Sequence, residues 1–293
     1  NLKMLVAVLY LFAITSCEQW GLDETKYTYQ LSQETFYNKP EEVDLFINGL
    51  IGRFRNIYSG NWYCSAESDA EYGYSKGVYL NYGITYNGII DATHKSRNNK
   101  IYKSVYWLVM NANNGITGVR KSETLTNAQK DGFIGEMRFC RGLAYYALFR
   151  RWGSGPLHTE DNLNEINVPR CGIEEMLDYV IADFEAARDL CPEVPRKVGT
   201  PCSYAAKAFL AEAYMWKANY LKERGEDETE MYAKAEAELQ DIINSAKYAL
   251  VPISTSSDWK NLYGPELPTS CEEIFYLKMN RTDDQTWDYI SYT

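Results

Sequence analysis

This 293-residue sequence predicts a mainly α-helical fold, made of antiparallel helix pairs with long irregular loops and short strands. Three observations lead there. Apolar residues recur at steps of three and four in five segments, the spacing of one helix face. Proline and glycine punctuate the starts and stops of several of these segments. An alanine-rich stretch near residue 205 supplies small side chains that let helices pack closely.

The chain opens differently. Residues 5–14 are apolar without interruption. A spanning helix needs about 20 such residues, whereas a run of about 10 has the size of a signal-peptide core. Lys3 precedes the run, and the small residues Thr15 and Ser16 lead into Cys17. This order resembles a bacterial lipoprotein box, with Ile14 where Leu is usual. It implies that residues 1–16 are a lipoprotein signal peptide and that Cys17 is the lipidated first residue of the mature chain. A buried N-terminal element with an ordinary cysteine is the alternative. Residues 17–39 read as a polar tether.

Pro40 suits the first position of a helix, and Val43, Ile47, Leu50, Ile51, Phe54 and Tyr58 give it one apolar face over 40–57. Residues 58–98 keep no helical period and are broken by five glycines, which predicts a long loop. Eight aromatics fall within 58–86: Tyr58, Trp62, Tyr63, Tyr72, Tyr74, Tyr79, Tyr82 and Tyr86. Flat aromatic faces suit the apolar side of a sugar ring, while amides and carboxylates suit its hydroxyls. Trp62, Tyr72, Tyr74 and Tyr82 are therefore candidate glycan-stacking residues, with Asn81 as a polar partner. The competing role for each is packing of the loop onto the helices.

Helical spacing returns near 100 with Tyr102, Val105, Tyr106, Val109 and Ala112, and again over 130–152 with Phe133, Met137, Cys140, Ala144 and Leu148. Gly153, Gly155 and Pro156 stop that helix. Residues 174–190 have acids in the first turn and a stripe of Leu177, Val180, Ile181 and Phe184. Thr200-Pro201 reads as an N-cap and first-turn pair opening the alanine-rich helix. A further helix spans about 229–246, and 223–230 is an acidic loop before it. The tail segments "YALVP" and "CEEIFYLKM" read as short extended pieces. Trp107, Trp152 and Trp216 are expected to pack on helices, and His158 has no base or nucleophile beside it. The texture is that of a tetratricopeptide-like repeat without a clean period.

Composition excludes several functions. A net charge of −10 with no basic stripe disfavours nucleic acid. Two histidines and no Cys-x-x-Cys give poor support for zinc or iron–sulfur, so no metal or other cofactor is expected. Six cysteines follow Cys17. Cys171 and Cys191 stand at opposite ends of a helix, about 25 Å apart, and cannot pair. Cys191 and Cys202 flank a loop between antiparallel helices and can.

In order, these segments resemble the SusD/RagB family of nutrient-binding outer-membrane lipoproteins. "GEMRFCRGLAYYALFRRWGSGPLH" resembles that family's "AEARFLRAYYYFDLVRLYGDVPL" helix, although the usual acidic residue of its last turn is missing. "MLDYVIADFEAARDLCP", "PCSYAAKAFLAEAYMW", "AEAELQDIINSAKYALVP", "SCEEIFYLKM" and "VYWLVMNANNGI" resemble further family segments. The resemblance implies a SusD-like helical domain over 40–293. Members typically continue about as long again, so the chain resembles an N-terminal part. It also implies a non-catalytic lipoprotein at the cell surface. Such a protein is anchored in outer-membrane lipid through Cys17, binds a glycan, and delivers it to a SusC-like TonB-dependent transporter. Two other classes fit the helices. One is a tetratricopeptide-like scaffold that binds protein and no sugar. The other is a helical glycoside hydrolase, which needs two carboxylates placed across a cleft; no motif nominates such a pair.

Overall fold

The computed structural model describes residues 36–58, 62, 97–262 and 270–277. Seven α-helices and no strand occur among them: α1 (Pro40–Tyr58), α2 (Arg97–Lys121), α3 (Asn127–Trp152), α4 (Ile173–Leu190), α5 (Ser203–Glu223), α6 (Thr229–Asn244) and α7 (Ser256–Leu262). All seven lie in one compact unit, Tyr37–Thr293. None is long and apolar enough to cross a membrane.

Successive helices pack on one another from α1 to α6, and α1 also packs on α3. This nearest-neighbour stacking is how helical repeats build a core that no single pair could bury. α1 turns Val43, Ile47, Leu50 and Phe54 inward, with Glu41 and Glu42 at its positive N-terminal end. α3 is the central helix: residues 133–137 and 139–149 are all buried. Thr126 caps it, accepting from the Gln129 N–H while the Gln129 side chain accepts from the Thr126 N–H at 2.9 Å. Gly135 lets the end of α4 come close, since a Cβ there would stand 2.8 Å from the backbone nitrogen of Cys191. Phe139, Phe184 and Phe209 join the three central helices through ring contacts of 5.6–5.8 Å, and Phe275 adds a fourth ring 5.0 Å from Phe139.

The predicted helices are present, with differences at their ends. α5 starts at Ser203 rather than beside Pro201. Thr200 spends its hydroxyl on the preceding turn, donating to the Lys197 carbonyl at 2.9 Å, and Cys202 takes the N-cap position. α6 stops at Asn244, and Ala246 adopts a positive φ of 53° that a helix cannot continue through. The two tail segments meet at one backbone bond, from the Ala249 N–H to the Cys271 carbonyl, without forming a strand among the described residues. Between them lies α7, which the sequence reading missed. Thr255 and Asp258 close its first turn with reciprocal bonds of 2.8 and 3.2 Å. Trp107 and Trp216 pack on the helices while about 40% exposed, each under an arginine guanidinium and Trp216 also 5.5 Å from the Phe149 ring. Cys191 and Cys202 are free thiols.

Candidate functional site

Two constructions stand out in this scaffold: a buried ion cluster under the segment after α3, and an aromatic cleft where α1, α3, α5 and the tail converge.

The ion cluster begins with Arg141, fully buried in α3. A guanidinium there requires fixed acceptors in its own plane. Asp183 of α4 supplies both oxygens, at 2.7 Å from Nε and 2.7 Å from Nη2. Glu160 and Asn113 complete the shell at 2.5 Å each, and the Tyr179 ring lies 4.9 Å away. Arg138 bridges Asp183 and Glu160 from the outer side, at 2.8 and 3.0 Å. Burial would raise the Glu160 carboxyl, but the charge and hydrogen bond of Arg141 prevail and hold it below its ordinary value. The same segment is held by its backbone. The Tyr145 hydroxyl donates to the His158 carbonyl at 2.8 Å and accepts from the His158 N–H at 2.7 Å. Asn113 and Tyr106 donate to the carbonyls of His158 and Pro156. His158 thus takes part through its peptide groups, and the cluster braces this segment against α2, α3 and α4.

The cleft is the other construction. α3 contributes Leu143, Tyr146 and Arg150, and α5 contributes Phe209 and Glu212, in each case residues spaced to share one helix face. Tyr58 ends α1, Trp62 follows it, and Phe275, Tyr276 and Leu277 close the far side. The open cleft has a volume of about 340 Å³, within the range of small-ligand pockets. Trp62 is half-buried, with its ring 5.2 Å from that of Tyr58 and the Arg151 guanidinium 5.1 Å from its face. Arg150 donates to Glu212 at 2.8 Å and to the Tyr146 hydroxyl at 3.1 Å, and lies 4.9 Å from the Trp216 ring centre. Burial pushes the Tyr58 and Tyr146 phenols up, so both stay neutral and able to donate. The Tyr276 hydroxyl, also in the lining, is buried with no hydrogen-bond partner among the described residues. Aromatic faces, a neutral phenol without a partner and one ion pair are the equipment for a ligand with both apolar faces and hydroxyls.

Of the sequence candidates, Trp62 is the one that the structure places, and it lies in this cleft. Cys17, Tyr72, Tyr74, Asn81 and Tyr82 lie outside the described residues. Tyr146, Arg150, Phe209, Glu212 and Tyr276 were missed. The signal available for the first four was an aromatic or charged residue at helical spacing on an inward face. No group of three or more His, Cys, Asp or Glu side chains among the described residues could hold a metal ion.

Residues 22–215 match the family SusD-like_3, described as starch-binding and associating with the outer membrane. The chain belongs to this SusD-like family. Its similarity to SusD-like protein P25 of Formosa agariphila is 26% identity over 74% of this chain and 44% of the relative. SusD-like protein P2 of the same organism is 22% identical over 70% and 37%. The chain thus spans less than half the length of these SusD-like relatives. Among solved structures, a SusD superfamily protein of Bacteroides vulgatus superposes with a TM-score of 0.67 at 17% identity, covering 82% of this chain and 50% of that one. A laminarin-binding SusD-like protein gives 0.59 at 20% identity, over 72% and 46%. At such identities these structures establish the shared, mainly α SusD-like fold. The SusD-like family, as described, is one of outer-membrane-associated carbohydrate binders.

Proposed function

We propose that this SusD-like chain is a surface-exposed, non-catalytic lipoprotein that binds a polysaccharide or oligosaccharide and passes it to a SusC-like TonB-dependent transporter in the outer membrane. Cys17 carries the lipid anchor. Trp62 stacks on a sugar ring at the mouth of the aromatic cleft, and Tyr72, Tyr74, Asn81 and Tyr82 add further faces and one amide. Arg150, Glu212 and the Tyr276 hydroxyl take the sugar's hydroxyls.

The observation that carries this reading is the position of Trp62, an aromatic chosen from the sequence, in a cleft whose other walls come from three helices and the tail segment 275–277. Two further points support it: the family's description as starch-binding, and the laminarin binding named for one structural relative.

Affinity electrophoresis of the purified protein through gels containing a panel of polysaccharides tests it. One glycan is expected to retard the protein, and Trp62→Ala to weaken the retardation about tenfold, the share of one stacked ring. Unchanged mobility of the folded protein on every glycan would instead favour the protein-binding scaffold. That reading has its own support in α6, which exposes Tyr232, Leu239 and Ile243 along one side. The anchor is tested separately. Cys17→Ala is expected to abolish incorporation of labelled fatty acid and release the protein from the membrane fraction.

A further inference from the structure

A second pocket lies along the first half of α3 and shares no residue with the aromatic cleft. Gln129, Gly132, Phe133 and Glu136 line it, at the three-, four- and seven-residue spacing that shares one helix face. Leu190, the last residue of α4, adds a wall with Pro192 and Val194 of the turn that follows. The cavity is about 430 Å³, larger than the cleft and within the range that small ligands fill. Gly132 leaves part of the lining as bare backbone, since a Cβ there would meet nothing within 4 Å. Val194, 69% exposed, marks the mouth.

Polar groups are few in this lining, and they differ in what they have left to offer. Gln129 spends its side-chain oxygen on the start of α3, accepting from the Thr126 N–H. Glu136 is 1% exposed. Arg196 donates to its two oxygens from Nε at 3.0 Å and from Nη2 at 2.8 Å, and gives Nη1 to Asp44. One guanidinium is thus divided between two acids. A carboxylate offers about four acceptor sites, and the Arg196 fork takes two of those on Glu136. Burial outweighs Arg196 and keeps the Glu136 carboxyl above its ordinary value. The buried end of an apolar pocket is therefore a desolvated carboxylate with acceptor sites to spare. A sugar, with hydroxyls around its whole rim, would leave several of them unpaired against Leu190, Pro192 and Val194. An ammonium on an apolar body matches both parts of the lining.

We propose that this pocket binds a small primary amine with a compact apolar body, its ammonium donating to the Glu136 carboxylate. The probe is benzylamine, with benzyl alcohol as a neutral counterpart of the same size. Each is titrated at neutral pH into the isotope-labelled full chain, and the backbone amide signals of Glu136 and Val194 are followed. Benzylamine is expected to shift both signals. Benzyl alcohol is expected to bind about tenfold more weakly, the difference between a charged and a neutral donor on a carboxylate. Gly132→Leu grows a side chain into the cavity and is expected to abolish the shifts. Val194→Lys changes an exposed position, adds a cation at the mouth, and is expected to weaken benzylamine while sparing benzyl alcohol. Benzyl alcohol binding as tightly as benzylamine overturns the amine assignment, as does a Val194→Lys protein that holds benzylamine as tightly as the parent. Shifts that persist in folded Gly132→Leu, or signals that stay put in the parent protein, overturn the site itself.

Discussion

At the scale of single residues, Arg141 is the position where most is at stake. Asp183→Ala strips a fully buried guanidinium of its two-pronged acceptor, and about 3–5 kcal/mol of stability is expected to go with it in a urea titration. The double change Arg141→Met with Asp183→Leu removes both charges and is expected to cost less than the single one, which a double-mutant cycle would read. Glu160 makes the same cluster sensitive to acid. Its folded pKa lies below its ordinary 4.5, because the pull of Arg141 exceeds the effect of burial. The unfolded chain therefore holds the proton more tightly. The stabilisation is complete above about pH 4.5 and is lost as pH falls through the folded value. Glu136 slopes the other way, since burial raises its carboxyl in spite of Arg196. The informative quantity is thus the difference between Glu160→Gln and the parent, and the variant is expected to show the shallower acid limb in melting temperature against pH.

At the scale of elements, α3 offers a matched pair of glycines. Gly132→Ala adds a methyl to open space and is expected to stabilise the helix by about 0.5–1 kcal/mol. Gly135→Ala, one turn on, drives a methyl into the Leu190–Cys191 backbone and is expected to cost about 1–3 kcal/mol. Chemical denaturation of the two proteins side by side decides this. The elements also mark where sequence alone sufficed. Six helices were legible, five from apolar residues recurring at steps of three and four and α5 from its alanine-rich stretch after Pro201. Thr200-Pro201 misled because a capping residue is identified by what its hydroxyl bonds, and Thr200 bonds backward to Lys197. α7 was hidden by its shortness, although Thr255-Ser-Ser-Asp258 is a capping pattern in plain view. Arg141 and Asp183 passed unnoticed for a different reason. Each sits beside an apolar stripe, and only the approach of α4 to α3 reveals that the two face each other.

At the scale of the molecule, the chain is acidic, with a net charge of −10 and an isoelectric point near 4.9. Turbidity at fixed concentration is expected to peak near pH 5, where self-repulsion vanishes. The cleft is a whole-molecule property as well. Its walls run from Tyr58 to Leu277, so no local pattern could assemble it, and Trp62 was found only because aromatics crowd the sequence there. The segment after α3 carries a last consequence. Tyr145, Asn113 and Tyr106 grip it by the peptide groups of Pro156 and His158, which every amino acid at 158 except proline would also present. Its path is therefore written in the helices beneath it. Relatives can exchange the side chain at 158 and keep the same surface contour as long as those three side chains and Glu160 endure.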